Sequence, residues 1–120
     1  MDDGRLWDFE RGLWTGPREV YRERVDPEVV MALPSEPHLL RGEDAIRAVE
    51  STPQWDEAEF SQQAVSRPQE GLIVIGYHMR AAREGHDPYE AYCTSTIRRL
   101  EPEVWRVIQH SQTVPLVVGA

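Results

Sequence analysis

The order of hydrophobic periods along the chain predicts an α+β domain, with helices on one face of an antiparallel sheet. Three observations carry this. Helical spacing is confined to the N-terminal part, and period two takes over from Trp55. The tetrapeptide Leu100-Glu101-Pro102-Glu103 then divides two long runs rich in aromatic and β-branched residues. A chain of 120 residues makes one domain, 1–120, with one core.

Asp2 or Asp3 can cap a first helix, in which Leu6, Phe9 and Leu13 recur at helical spacing beside Trp7 and Trp14. Trp7 and Trp14 are seven apart, so they share a face and turn inward. Gly16-Pro17 stops this helix, and Pro17 can begin a short second one with Val20 and Tyr21 as its apolar positions. Glu28 to Leu33 reads as a short buried strand closed by Pro34. A loop with Pro37 and His38 follows. Gly42 opens a third helix, with Glu43 and Asp44 in the first turn and Ile46 and Val49 inside. Strands are expected over 55–66, 72–80, 89–99 and 103–113, the last two forming a hairpin about Pro102. Residues 72–76 are apolar on both faces, as in a strand covered on both sides.

Charge narrows the function classes. The net charge is −8, and residues 1–60 hold 15 acids against 7 arginines, while 61–120 hold 6 of each. Such a surface repels phosphate backbones, so no nucleic acid partner is expected. All 13 basic residues are arginine, which a GC-rich genome explains more simply than a need for forked carboxylate binding. No apolar run is long enough for a membrane helix, and the N-terminus carries no basic-then-apolar leader pattern. Cys93 is the single cysteine, so no internal disulfide can form. These features fit a cytoplasmic protein with no membrane partner. Histidines at 38, 78, 86 and 110 show no i, i+4 pairing, so neither a metal nor any other cofactor is expected.

Several segments carry a family resemblance: LWDFERGLW, the strand-then-proline VVMALP, the Gly42-x-x-Ala45-Ile46 spacing, Trp55 before a long strand, AYCTSTIRR, and the closing WRVIQHSQT. In this order the chain resembles the nuclear-transport-factor-2-like (cystatin-like) superfamily over roughly residues 5–113, and within it the small bacterial SnoaL-like and calcium/calmodulin-kinase-association-like proteins of unknown function. The resemblance implies a cone-shaped, strongly curved antiparallel sheet wrapped around the N-terminal helices, with a pocket in its mouth. It also implies a homodimer, to which the apolar tail Val114 to Val118 can add contact. Ketosteroid isomerases of the superfamily place their general base just before the proline of VVMALP. Here that position is Leu33, which cannot take a proton.

Strand parity sorts the remaining candidates but does not say which face looks into the cone. Trp14, Tyr21, Trp55, Tyr77, Tyr92 and His110 are the expected pocket residues. Aromatic walls with a few polar tips are the ordinary make-up of a small-molecule site, although each ring alone reads as core. His110, flanked by Gln109 and Gln112, has the chemistry of a general base, but a hydrogen-bonded strand residue is the plainer reading. Asp56, Glu57 and Glu59 read as a solvated edge, Cys93 as a small buried residue, and Arg106 as the one cation near a strand centre. With no charged residue clearly inside, the expected ligand is neutral or weakly polar. Three functions stay open: a small-molecule-binding protein, an isomerase- or hydratase-type enzyme using His110 and a tyrosine, and a dimerising association domain with no ligand.

Overall fold

Asp2 caps the first helix, its carboxylate accepting the Arg5 N–H at 2.8 Å. In the computed structural model, which describes residues 1–116, this helix α1 runs Asp3–Thr15. Its buried stripe is Leu6, Glu10 and Trp14, four residues apart. Phe9, Leu13 and Trp7, expected inside, are half-buried beside that stripe. Gly16 ends α1 with its N–H on the Gly12 carbonyl. Helix α2 follows at Arg18–Arg24 and buries Tyr21.

Strand β1 is Val25–Ala32, starting earlier than the expected 28, with Val25 and Asp26 both buried. The loop after Pro34 returns as a short strand β2, Leu39–Arg41, which the sequence did not announce because three residues show no period. Helix α3 is Gly42–Glu50 and buries Ala45 and Ile46. Gly42 sits at φ +58°, a left-handed conformation that an L side chain resists, with the Pro27 carbonyl 3.2 Å from where a Cβ would stand. Four long strands complete the chain: β3 Glu57–Gln69, β4 Leu72–Ala82, β5 Tyr89–Glu101 and β6 Val104–Thr113.

These strands form one six-stranded sheet in the order β2-β1-β6-β5-β4-β3. The expected β5–β6 hairpin is present, with Tyr92 opposite Thr113 and Glu101 opposite Val104. The sheet is mixed rather than wholly antiparallel, because β1 lies parallel to β6. β1 enters from the helical layer rather than from a hairpin, so no tight turn fixes its direction against β6. Register shifts interrupt the ladders at Ser61/Ala64 and Thr96/Ile97, and Gln62 adopts φ +51° at the first. Bulges of this kind bend and twist a strand. They account for a curved sheet that holds α1 in its hollow.

Burial alternates along β4 and β5, which settles which face is inward. Ile73, Ile75, Tyr77 and Met79 pack with Cys93, Ile97, Val107 and Leu6 in one cluster. Each such fully buried aliphatic side chain contributes roughly 1.5–3 kcal/mol of transfer free energy. A second cluster joins Tyr21, Val25, Val29 and Met31 to Ala45 and Ile46. Leu13 touches both. Of the apolar tail, Val114 and Leu116 are exposed, and 117 and 118 lie outside the described residues. Among the described residues no helix is long and apolar enough to cross a membrane.

Candidate functional site

The i, i+4 stripe of α1 carries Glu10 into the hollow of the sheet between Leu6 and Trp14, and its side chain is fully buried. Two hydroxyls hold one of its oxygens. Glu10 Oε2 accepts from Tyr77 Oη on β4 at 2.5 Å and from Ser95 Oγ on β5 at 2.6 Å. Tyr77 Oη in turn accepts the Trp14 indole N–H at 3.1 Å.

Since the Ser95 proton goes to Glu10, its oxygen accepts from His110 Nδ1 at 2.8 Å. This network assigns His110 as the Nδ1–H tautomer. Its bare Nε2 accepts from the Gln112 amide nitrogen at 3.1 Å, and the Gln112 carbonyl accepts from the Tyr89 hydroxyl at 2.8 Å. Two one-way chains of donors therefore converge on Oε2, one from Trp14 through Tyr77, the other from Tyr89 through Gln112, His110 and Ser95. Glu10 Oε1 takes no hydrogen bond from any described group.

Burial is the largest influence on the ionisable groups here. It raises the Glu10 carboxyl above its ordinary range, against the lowering effect of the Ser95 and Tyr77 hydrogen bonds. It pushes His110 down to about 4, so the ring is neutral at physiological pH. Tyr77 is raised by burial and by Glu10, while burial raises the Cys93 thiol to about 12 and the Tyr89 phenol to about 12. His110 is thus a fixed neutral link with both ring nitrogens engaged. The group with a free atom and a shifted pKa is Glu10.

A cavity of about 310 Å³ opens where the two clusters meet. Helix α1 supplies Glu10, Leu13 and Trp14, and α2 supplies Tyr21. Val25, Met31 and Leu33 line it from β1 and its exit, Val49 and Thr52 to Trp55 from the end of α3 and beyond, and Tyr89, Val107, His110 and Gln112 from β5 and β6. The mouth is tied down at two points. The Trp55 N–H bonds the Trp14 carbonyl at 3.1 Å, and the Gln54 amide bonds the Gly16 carbonyl at 2.7 Å. The Trp55 ring stacks on Tyr89 at 5.8 Å, with Arg83 over it.

Of the residues the sequence singled out, Trp14, Tyr21, Trp55 and His110 stand together around this cavity. Tyr77 lies behind it, bonded to Glu10. Tyr92 does not join them. It lies on the opposite, convex face, 45% exposed, against His78. Even positions of β5 face outward, whereas Ser95 and its inward neighbours share the parity of Ala91. Arg106 is not among the lining residues and stands opposite Arg98. The expectation that no charged residue faces inward is corrected by Glu10. Its only sequence signal was an acid at i+4 from Leu6 and i−4 from Trp14, which an apolar-stripe reading passes over as an exposed position. Leu33 lines the mouth, so the strand-then-proline position is apolar. Among the described residues no group of three or more His, Cys, Asp or Glu is placed to hold a metal ion.

No protein-family model matches the sequence, and no curated protein matches it either. Solved structures do resemble it. A provisionally named ketosteroid isomerase from Parabacteroides distasonis superposes with a TM-score of 0.80 at 17% identity, covering 95% of this chain and 88% of that one. An NTF2-like protein of unknown function in nutrient uptake from Rhodospirillum rubrum gives 0.78 at 12% identity, covering 97% and 100%. The association domain of C. elegans CaMKII gives 0.73 at 11% identity, covering 92% and 91%. Proteins so different in role share this architecture that the likeness speaks for fold alone. The helix-filled, curved sheet described above is the nuclear-transport-factor-2-like fold.

Proposed function

We propose that this protein binds a small, largely apolar organic molecule in the cavity between its two clusters. One observation carries the reading. The cavity is walled by Trp14, Tyr21, Trp55 and Tyr89, and includes a fully buried carboxyl with one oxygen that no described group satisfies. A buried polar atom without a partner costs roughly 1–3 kcal/mol, and more if charged. A ligand that meets Oε1 removes this cost, and its apolar body replaces water against the aromatic walls.

Native mass spectrometry of protein purified without additives tests this. A compound retained on the 13.8 kDa chain, and lost when Leu33→Trp fills the mouth, is the expected result. A chain that retains nothing, and that no compound in a broad panel of small apolar molecules stabilises against heat, overturns it.

A catalytic version rests on the same carboxyl. Glu10, not His110, is the group able to take or return a proton, with Tyr77 as its hydroxyl partner. Chemical change of the retained compound on incubation with wild type, absent with Glu10→Gln, distinguishes catalysis from storage.

The protein also pairs, on this reading, into a homodimer through the convex face of the sheet. Val30, Leu39 and Tyr92 stand exposed there.

A further inference from the structure

We propose that the ligand carries a basic amine, held as an ammonium by the Glu10 carboxylate at the inner end of the cavity. This rests on the small-molecule reading above and names its chemical class.

Three features lead to it. The first is the direction of the donor chains. The Trp14 indole and the His110 ring each pass a proton toward Glu10, and Tyr77 and Ser95 both give theirs to Oε2. Every dipole of the network thus presents its positive end to this oxygen. Such an array stabilises a carboxylate far more than a neutral acid. The hydrogen bonds favour the anion while burial opposes it, and no cation stands beside it to tip the balance. Facing Glu10 are Tyr77 from β4, Cys93 and Ser95 from β5, the neutral His110 from β6 and Tyr21 from α2, none of them positive. No arginine lines the cavity.

The second feature is the unpartnered oxygen, buried on a side chain that lines the cavity. Oε1 is the one position on this carboxyl that no described group occupies. An N–H of an ammonium fits it, as an alkyl body fits the walls.

The third feature is the surroundings. The rings of Trp14, Tyr21 and Tyr89 line the cavity, and aromatic rings attract cations through their quadrupoles. The chain's charge of −8 steers cations toward it and repels anions.

Proton balance gives the inference a signature. In the empty site burial favours the protonated acid. When an ammonium R–NH₃⁺ enters, the Glu10 O–H bond breaks and its proton leaves to solvent. The product is the ion pair R–NH₃⁺ with the Glu10 carboxylate. Binding therefore strengthens as pH rises toward the pKa of the empty site. It then levels off, and it falls once the amine itself loses its proton near ~10. A neutral ketone or alcohol displaces no proton and shows the opposite trend if it needs the Glu10 O–H.

Isothermal titration calorimetry with cyclohexylmethylamine, cyclohexylmethanol and cyclohexyl methyl ketone, each in phosphate and in Tris at several pH values, tests it. The amine should bind at least tenfold more tightly than the alcohol. It should release up to one proton per molecule bound, with release declining as pH rises. Glu10→Gln keeps a hydrogen-bonding side chain of the same shape, and its fold is checked by circular dichroism. It should lose amine binding by tenfold or more, and by a larger factor than it loses alcohol binding. Alcohol or ketone binding that equals or exceeds amine binding overturns the amine and leaves the small-molecule reading standing. So does amine binding without proton release at any pH, or amine binding unchanged in Glu10→Gln. Failure of all three probes, together with no retained compound, overturns both.

Discussion

Glu10 and His110 are both buried ionisable groups, and they pull the stability of the protein in opposite directions with pH. Folding raises the Glu10 pKa, so above about pH 4.3 the folded state holds more protons than the unfolded chain. Its contribution is full below that pH and is lost as pH rises through the folded value. Glu10→Gln should therefore match wild type near pH 4 and exceed it with rising pH, by a few degrees in Tm at pH 8, where ~1 kcal/mol corresponds to several degrees for a small domain. Thermal melts of the two proteins across that range check this, and equal melts at pH 8 contradict it. Folding lowers the His110 pKa to about 4, from roughly 6.5 in an unfolded chain. The unfolded chain takes up a proton first as pH falls, so stability drops between about pH 6.5 and 4, by ~1.4 kcal/mol per unit and ~3 kcal/mol in all. His110→Gln should flatten that acid limb in urea titrations at pH 4.5 and 7. A limb of unchanged slope would place the proton elsewhere.

At the level of elements, small residues at the joints decide where helix and strand meet. Gly42 begins α3 at φ +58° with the Pro27 carbonyl close by. Gly42→Ala should cost about 1–2 kcal/mol for the left-handed backbone alone, read as a lower urea midpoint with an unchanged slope. A variant as stable as wild type would mean that this turn relaxes freely. Gly42 also shows what the sequence made legible. Its place before Glu43, Asp44 and Ile46 marks a helix start, and the apolar run from 72 and the aromatic and β-branched residues of 89–99 mark strands. Both signals are local and repeat along one element. What escaped was decided between elements. The three residues of β2 form a strand only because β1 offers an edge. The parallel β1–β6 pairing has no signature in either strand. Whether Tyr92 or Ser95 faces the hollow of the sheet turns on which side of it α1 occupies. Glu10 was the largest loss for the same reason. A charged residue on an apolar stripe reads as an interruption until Tyr77, 67 residues away, is seen to meet it.

The sheet gives the whole molecule two faces of different character. The concave face is consumed by α1 and the cavity. The convex face carries Val30, Leu39 and Tyr92 exposed among Thr94, Gln109 and Ser111, with Val74 half-buried on β4 beyond them. Cross-strand bonds such as Thr94 to Ser111 keep its polar side chains paired with one another, so little polar surface needs rehydration when another copy covers it. A dimer built here would bury something like 2,000 Å² in total. Each copy brings a charge of −8, so long-range repulsion opposes the encounter and salt should relieve it. Light scattering at micromolar concentration should then give a mass near twice 13.8 kDa, with the dimer tighter at 0.5 M salt than at low salt. Tyr92→Glu should return the protein to monomer, because it sets two new charges near each other across the interface. Tyr92 faces away from Glu10 and the cavity, so the same variant should bind a cavity ligand as wild type does. A monomer at all concentrations and salts contradicts the convex-face dimer. A monomeric Tyr92→Glu that has also lost its ligand would show instead that the two faces are coupled through β5, whose alternate side chains serve both.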